Sequence, residues 1–205
     1  MTASTLVLAL LLSYGLGSVP SGLLVARMLS DVDIRTMGSG NVGATNIYRA
    51  FGMKWAAAVF LADALKGALP VLITRGLMVP PWLVALSALF AVGGHVFNPW
   101  LGFKGGKGVA TSFGAYFAIS PLSGLVALAA WGGVVYRTRL VSLASLAAAA
   151  VLPVAVLAIK FGDPGHLWYT GGALLVSALV AWAHRENIER LRAGQEKPVS
   201  GKSEE

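Results

Sequence analysis

Two short stretches of this 205-residue chain gather glycine, hydroxyl, amide and cationic side chains in a sequence that is otherwise 56% apolar. The first reads Met37-Gly38-Ser39-Gly40-Asn41-Val42-Gly43-Ala44-Thr45-Asn46, with Arg49 shortly after. Glycines let backbone N–H groups approach an anion, and Ser39, Asn41, Thr45 and Asn46 add neutral polar groups. The Thr45-Asn46 end is placed to open a helix, whose first N–H groups favour phosphate. Arg49 then lies one turn along, with a guanidinium fork that matches phosphate oxygens. The second stretch, Gly102-Phe103-Lys104-Gly105-Gly106-Lys107-Gly108-Val109-Ala110-Thr111, sets Lys104 and Lys107 among glycines at the start of a helix. A third, His184-Arg185-Glu186-Asn187-Ile188-Glu189-Arg190, puts His184 and Asn187 on one helix face at i,i+3. Ser142 and Ser145 open an apolar run, where helices commonly carry serine, and alone they say little.

Several familiar chemistries are excluded by spacing. Gly38–Gly43 matches G-x-G-x-x-G, and Asp63 follows at a suggestive interval. That fingerprint requires a preceding strand and a βαβ unit, whereas both flanks here are apolar runs of membrane length. The second loop fails G-x-x-x-x-G-K-[ST], because Gly108 rather than a hydroxyl follows Lys107. A His-x4-Asp acyltransferase dyad finds only His184 and Glu189, which point about 140° apart on a helix. With no cysteine, three histidines and no His-Glu-x-x-His, there is no disulfide framework, no thiolate chemistry and no expected metal or cofactor.

The elements that must position these loops are membrane helices. Only 12% of residues are charged, and a soluble domain of this size cannot hide so much apolar surface. Runs long enough to cross a bilayer occupy Thr5–Ala26, Trp55–Ile73, Trp82–Phe97, Leu140–Ile159 and Leu167–Ala183. No Lys or Arg precedes the first run, which therefore reads as a retained span rather than a secretory leader. Val109–Tyr136 is either one tilted helix or two short arms broken at Ser120-Pro121, where proline removes a donor.

Charge selects between them, because cytoplasmic loops are enriched in Lys and Arg. Seven spans with the N-terminus outside put Arg27, Arg35, Arg49, Lys54, Lys104, Lys107, Arg137, Arg139, Arg185, Arg190, Arg192, Lys197 and Lys202 inside. Only Arg75 and Lys160 then lie outside. A single span over Val109–Tyr136 destroys the asymmetry. The expected class is thus an all-α, polytopic membrane bundle of seven helices, N-terminus out and C-terminus in, with all three polar motifs on the cytoplasmic side. The first arm of the break is too short to cross alone, so it must pack within protein.

Asp63 and Lys66, three residues apart inside a span, read as a mutually neutralising pair, with substrate contact the other reading. His95 stands at the inner end of its span, as a packing residue, a base or a support for the second loop. Residues 1–193 read as a single domain. The polar tail 194–205, with Pro198 and Gly201, lacks apolar anchors and is expected to be disordered. The net charge of +7 is scattered and not interleaved with aromatics, so anionic lipid and anionic substrates are favoured over nucleic acid. A transporter of phosphorylated metabolites is the competing class, but the polar motifs cluster on one side and no repeat is evident.

The motifs resemble a known family. Ser-Gly-Asn-x-Gly-Ala-Thr-Asn with its trailing arginine, Gly-His-x-Phe followed by Phe-Lys-Gly-Gly-Lys-Gly-Val-Ala-Thr, and His-Arg-x-Asn-Ile-x-Arg are similar to those of the bacterial acyl-phosphate:glycerol-3-phosphate acyltransferases of the PlsY type. The likeness runs from about Gly17 to Arg192 and includes Asp63-x-x-Lys66-Gly67 and Ser142-x-x-Ser145. It implies a cytoplasm-facing site in the bacterial inner membrane. There a fatty acyl group passes from acyl phosphate to glycerol 3-phosphate, giving lysophosphatidic acid and inorganic phosphate. It further implies Ser39, Lys107 and His184 in catalytic positions. Asn41, Thr45, Asn46, Arg49, Lys104, Ser142, Ser145 and Asn187 are implied around the substrates. A monomer without cofactor is expected.

Overall fold

The computed structural model describes residues 2–199, and these form helices and connecting loops. In chain order the α-helices are α1 (Ala3–Gly17), α2 (Ser21–Leu29), α3 (Ala44–Phe51), α4 (Met53–Gly76), α5 (Pro81–Val96), α6 (Val109–Ile119), α7 (Pro121–Thr138), α8 (Val141–Lys160), α9 (His166–Ala183) and α10 (Arg185–Arg192). Among the described residues, five stretches are long and apolar enough to cross a membrane: Ala3–Leu29, Met53–Gly76, Pro81–Leu101, Val141–Lys160 and His166–Ala183.

The outward faces are apolar, with Leu8, Leu61, Leu65, Val154 and Leu174 each more than half exposed. Buried positions carry small and polar residues, such as the Ser13–Ser87 hydroxyl pair at 2.9 Å. This inversion of the soluble pattern fits a lipid-solvated bundle, in which small residues let helices approach closely. α4 and α6 meet almost backbone to backbone: a Cβ on Gly114 would lie 1.9 Å from the Ala64 carbonyl oxygen. A Cβ on Gly67 would lie 2.1 Å from that of Thr111. Gly114→Val is therefore expected to force the two helices apart and lower the thermal midpoint in detergent. By overpacking alone it costs about 1–3 kcal/mol, and an unchanged midpoint would show that the α4–α6 contact yields freely.

The first apolar run is not one helix. Pro20 ends α1 near Ser18 and α2 restarts at Ser21. Proline cannot continue the helix and the chain leaves helical geometry around it, so carbonyls at the break must find partners elsewhere in the protein. The Ser18 carbonyl accepts from Asn98 Nδ2 at 2.7 Å, and the Val19 carbonyl accepts from Lys66 Nζ at 2.7 Å. Lys66 also pairs with Asp63 at 2.8 Å, so the intramembrane charges cap a broken helix as well as neutralising each other.

The second break falls where proline suggested, between Ile119 and Pro121. The Arg75 guanidinium donates to the Ala118 carbonyl at the end of α6, and Ser120 and Ser123 share a hydrogen bond of 2.7 Å. The exposed end of a short helix is thereby satisfied within protein.

Two apolar clusters divide the interior. One joins α4 to α9 and includes Val84, Val92, Tyr116, Val156 and Val176. The other joins Leu23, Ile34, Val42, Ile47 and Val59 with Leu101, which lies at the root of the second glycine loop. Both glycine loops therefore close the same end of the bundle.

Candidate active site

The first loop owes its shape to Asn46. Its buried side chain donates to the Ile34 carbonyl at 3.1 Å and the Met37 carbonyl at 3.0 Å, and accepts from the Ser39 N–H at 3.0 Å. Gly38, at φ +54, sits against it: a Cβ there would lie 2.4 Å from Asn46 Oδ1. Asn41 accepts from the Gly43 N–H at 2.9 Å, and the Gly40 N–H donates to the Met37 carbonyl at 2.9 Å. The amides of Asn41 and Asn46 are thus braces of the loop, and several of its N–H groups are already taken. The hydroxyls of Ser39 and Thr45 and the Arg49 guanidinium make no hydrogen bond among the described residues. They are the loop's available groups, with Arg49 on the amphipathic helix α3.

The second loop is pinned to the end of α5. The Gly105 N–H donates to the Val96 carbonyl at 2.9 Å, and the Gly106 N–H to the His95 carbonyl at 3.1 Å. A Cβ on Gly105 would lie 1.9 Å from that same His95 oxygen, so glycine is needed here for backbone contact rather than to reach an anion. What the loop presents instead is Lys107 and the unpaired first turn of α6, entered through Gly108 at φ +77. Lys104 is exposed and makes no hydrogen bond among the described residues.

Lys107 reaches across to the third motif, where its ammonium donates to Asn187 Oδ1. Burial, followed by the charges of Arg190 and, more weakly, Arg49, lowers its pKa to about 8. The effect of Arg49 joins the first loop electrostatically to the second and third motifs. His184, at the joint of α9 and α10, is buried, and its Nδ1 donates to the Val180 carbonyl at 2.8 Å, leaving Nε2 as an acceptor. Burial, reinforced by the Lys107 charge, lowers its pKa to about 4, so the ring is neutral at physiological pH.

Two participants, Arg190 at the end of the third motif and Glu196 beyond it, are not among the site residues expected from the sequence. Arg190 follows Asn187 at i+3 and shares its face, and Glu196 comes from the segment expected to be loose. In place of a free tail, the Gln195 N–H donates to the Arg190 carbonyl and the Val199 N–H to the Arg139 carbonyl, both at 2.8 Å. Residues 194–199 therefore strap back from α10 to the α7–α8 turn, while residues 200–205 lie outside the described residues. Glu196 accepts from Asn187 Nδ2 at 2.6 Å and from Arg190 Nε at 2.8 Å. Burial opposes its ionisation, but Ser142, Arg190 and Asn187 outweigh it and hold the carboxyl below its usual range. The buried Ser142 hydroxyl lies close enough to contribute without a bond of standard geometry. The only signal in the sequence was one carboxylate within a basic segment.

Ser145 lies one turn deeper on α8. Its hydroxyl donates to the Val141 carbonyl at 2.8 Å and accepts from Trp131 Nε1 at 3.3 Å. It also lines an apolar groove between α6, α7, α8 and α9, together with Phe113, Leu128, Trp131, Leu152 and Val180. Phe60 stacks on Phe113 at 5.7 Å to form one wall. The structure thus sets Lys107, His184, Ser142, Asn187 and Arg190 in one cluster, with Ser145 at the head of a groove for something apolar.

Known proteins are similar to this chain along most of its length. Residues 7–194 match the family model described as glycerol-3-phosphate acyltransferase. A protein so named from Geobacter sulfurreducens is 49% identical over 90% of this chain and 92% of its own length. One from Synechococcus is 42% identical over 98% of both chains. Two crystal structures of PlsY (YgiH), an integral membrane glycerol 3-phosphate acyltransferase, superpose with TM-scores of 0.86 and 0.85 at 38% identity, covering 95% of each chain. The first is its glycerol 3-phosphate form and the second its lysophosphatidic acid form. With its three polar motifs closing one end of a helical bundle of the same fold, this chain belongs to the glycerol-3-phosphate acyltransferase family.

Proposed function

We propose that this chain transfers a fatty acyl group from acyl phosphate to the sn-1 hydroxyl of glycerol 3-phosphate, yielding lysophosphatidic acid and inorganic phosphate. One observation carries the reading: Lys107 and Arg190, held around Asn187 and Glu196, lie by the same helix ends as an apolar groove lined by Val109, Ser145 and Val180. A small anionic acceptor and a lipid-tailed anionic donor together need that pairing. The charge asymmetry of the loops supports seven spans with the site at the cytoplasmic face of the inner membrane, where the donor tail enters from lipid. A monomer contains every group invoked.

Acyl phosphate is an activated mixed anhydride. The glycerol hydroxyl adds to the carbonyl carbon, the carbonyl–O–phosphate bond breaks, and phosphate departs with the electron pair. Catalysis then rests on orientation and on charge stabilisation by Lys107, Arg49 and the N–H groups opening α6, with Ser39 as a neutral donor. The hydroxyl proton passes to a substrate phosphate oxygen. With a pKa of about 4, His184 is a weaker proton acceptor than a phosphate monoester, whose second pKa is about 6. Neutral His184 instead aligns the hydroxyl through Nε2, and no acyl-enzyme forms.

Purified protein mixed with synthetic acyl phosphate and glycerol 3-phosphate is expected to release phosphate only when both are present. Release from acyl phosphate alone, or an acyl group trapped on Ser39 or Ser145, would sink the mechanism. A pH series adds a second check. Lys107 must be charged to hold phosphate, so kcat/KM is expected to fall as pH rises through about 8. The limb for kcat lies higher, because bound phosphate favours the ammonium. Lys107→Arg is expected to remove the alkaline limb while lowering activity. A limb that survives arginine would have to be assigned to another group.

A further inference from the structure

We propose that His95 is a positioning residue of this acyltransferase, a strut that fixes the second glycine loop and the first turn of α6 so that Lys107 reaches the anion. It does not touch substrate. The ring is buried beneath the loop, 5% exposed, on the inner side of the groups that face the site.

Three contacts define the strut. His95 Nδ1 shares a 3.1 Å hydrogen bond with Thr111 Oγ1, in the first turn of α6, and Thr111 is itself fully buried. The other ring edge abuts the loop: a Cβ on Gly106 would lie 2.1 Å from His95 Nε2. The backbone carbonyl of His95 accepts from the Gly106 N–H at 3.1 Å. One residue of α5 thus touches the chain on both sides of Lys107, at Gly106 and at Thr111.

The strut has a foundation. Asp63 Oδ1 lies 3.8 Å from His95 Nδ1 and 2.8 Å from Lys66 Nζ, which in turn caps the Val19 carbonyl at the α1–α2 break. The chain Val19–Lys66–Asp63–His95–Thr111 therefore links the broken first helix, α4, α5 and α6 through buried polar groups. The Lys66–Asp63 step is an ion pair, and the Asp63–His95 step is a contact between buried polar atoms, longer than a hydrogen bond. A loop holding Gly102, Gly105, Gly106 and Gly108 has little rigidity of its own, since glycine is the most permissive residue. The rigidity that Lys107 needs comes from outside the loop, and His95 supplies it.

The inference rests on the proposed acyl transfer, and the test separates the two. Steady-state kinetics with acyl phosphate and glycerol 3-phosphate would be measured for wild type, His95→Ala, Thr111→Val, Thr111→Ser, Gly106→Ala and the double variant Gly106→Ala/His95→Ala, with thermal midpoints alongside. A misplaced loop loosens the grip on a phosphate and the charge stabilisation by Lys107 together, so His95→Ala and Thr111→Val are expected to lower kcat/KM about ten-fold, with KM for one phosphate substrate raised. Thr111→Ser, which keeps the hydroxyl, is expected to behave as wild type. Gly106→Ala drives a methyl into the imidazole, so its loss of activity is expected to shrink once His95 is alanine. Failure of wild type to turn over would defeat the acyl-transfer reading itself. Active wild type with unchanged KM in His95→Ala and Thr111→Val, or with additive Gly106 and His95 effects, would overturn the strut alone. Should His95→Ala not fold, the comparison of Thr111→Val with Thr111→Ser decides.

Discussion

Lys107→Ala is expected to lower kcat/KM by about 10²–10³-fold, the loss typical of a preorganised donor aimed at developing charge. Arg49→Ala should approach this figure, and Lys104→Ala should fall well short of it. The ordering follows from environment. Lys107 is partly buried, bonded to Asn187, and lies within the fields of Arg190 and Arg49, so its charge acts in a medium poorer in water than bulk. Lys104 is exposed on the same loop and its charge is screened. A loss for Lys104→Ala equal to that for Lys107→Ala would mean the loop works through net charge alone. The cluster would then lose its claim to geometry.

Glu196→Ala is expected to reduce kcat/KM by about 10–10²-fold, although its carboxylate repels both substrates, because broken charged hydrogen bonds leave partners misplaced. Glu196 holds Asn187 and Arg190 from the far side, and Asn187 is the group that receives Lys107. Its negative charge also raises the Lys107 pKa. Removing that charge lowers the Lys107 pKa further, so the alkaline limb of kcat/KM should move to lower pH. Glu196→Gln keeps the shape and one acceptor oxygen, and should show the same direction of limb shift with a smaller fall in rate. A rate that increases on either substitution would recast the strap as an inhibitor that occupies the anion site. An unmoved limb would separate Glu196 from Lys107 altogether.

The way the motifs were readable explains what was missed. Ser39, Arg49, Lys107, His184 and Asn187 stand out in sequence because they gather in short polar stretches of a chain that is 56% apolar. Asn41 and Asn46 stand out equally, yet the fold uses their amides to brace the first loop. Sequence cannot separate these uses, since an amide suits a backbone carbonyl and a phosphate equally well. The pairing of Arg190 with Glu196 leaves no mark in the sequence, because it forms across six residues and a turn.

Local composition and a missing N–H are enough to set the helical class, the apolar runs and the break at Ser120-Pro121. Which loops carry cations and glycines is equally plain from the residues alone. Pro20 splits the first run by the same missing N–H, but tertiary packing alone chose Lys66 and Asn98 to cap the carbonyls at that break. It alone folded the strap back over α10, and brought the second loop to His95 and Lys107 to Asn187. The physical reason is the same in each case. A buried polar group must be satisfied, but the partner that satisfies it is chosen by packing between helices distant in sequence, and no local pattern records that choice.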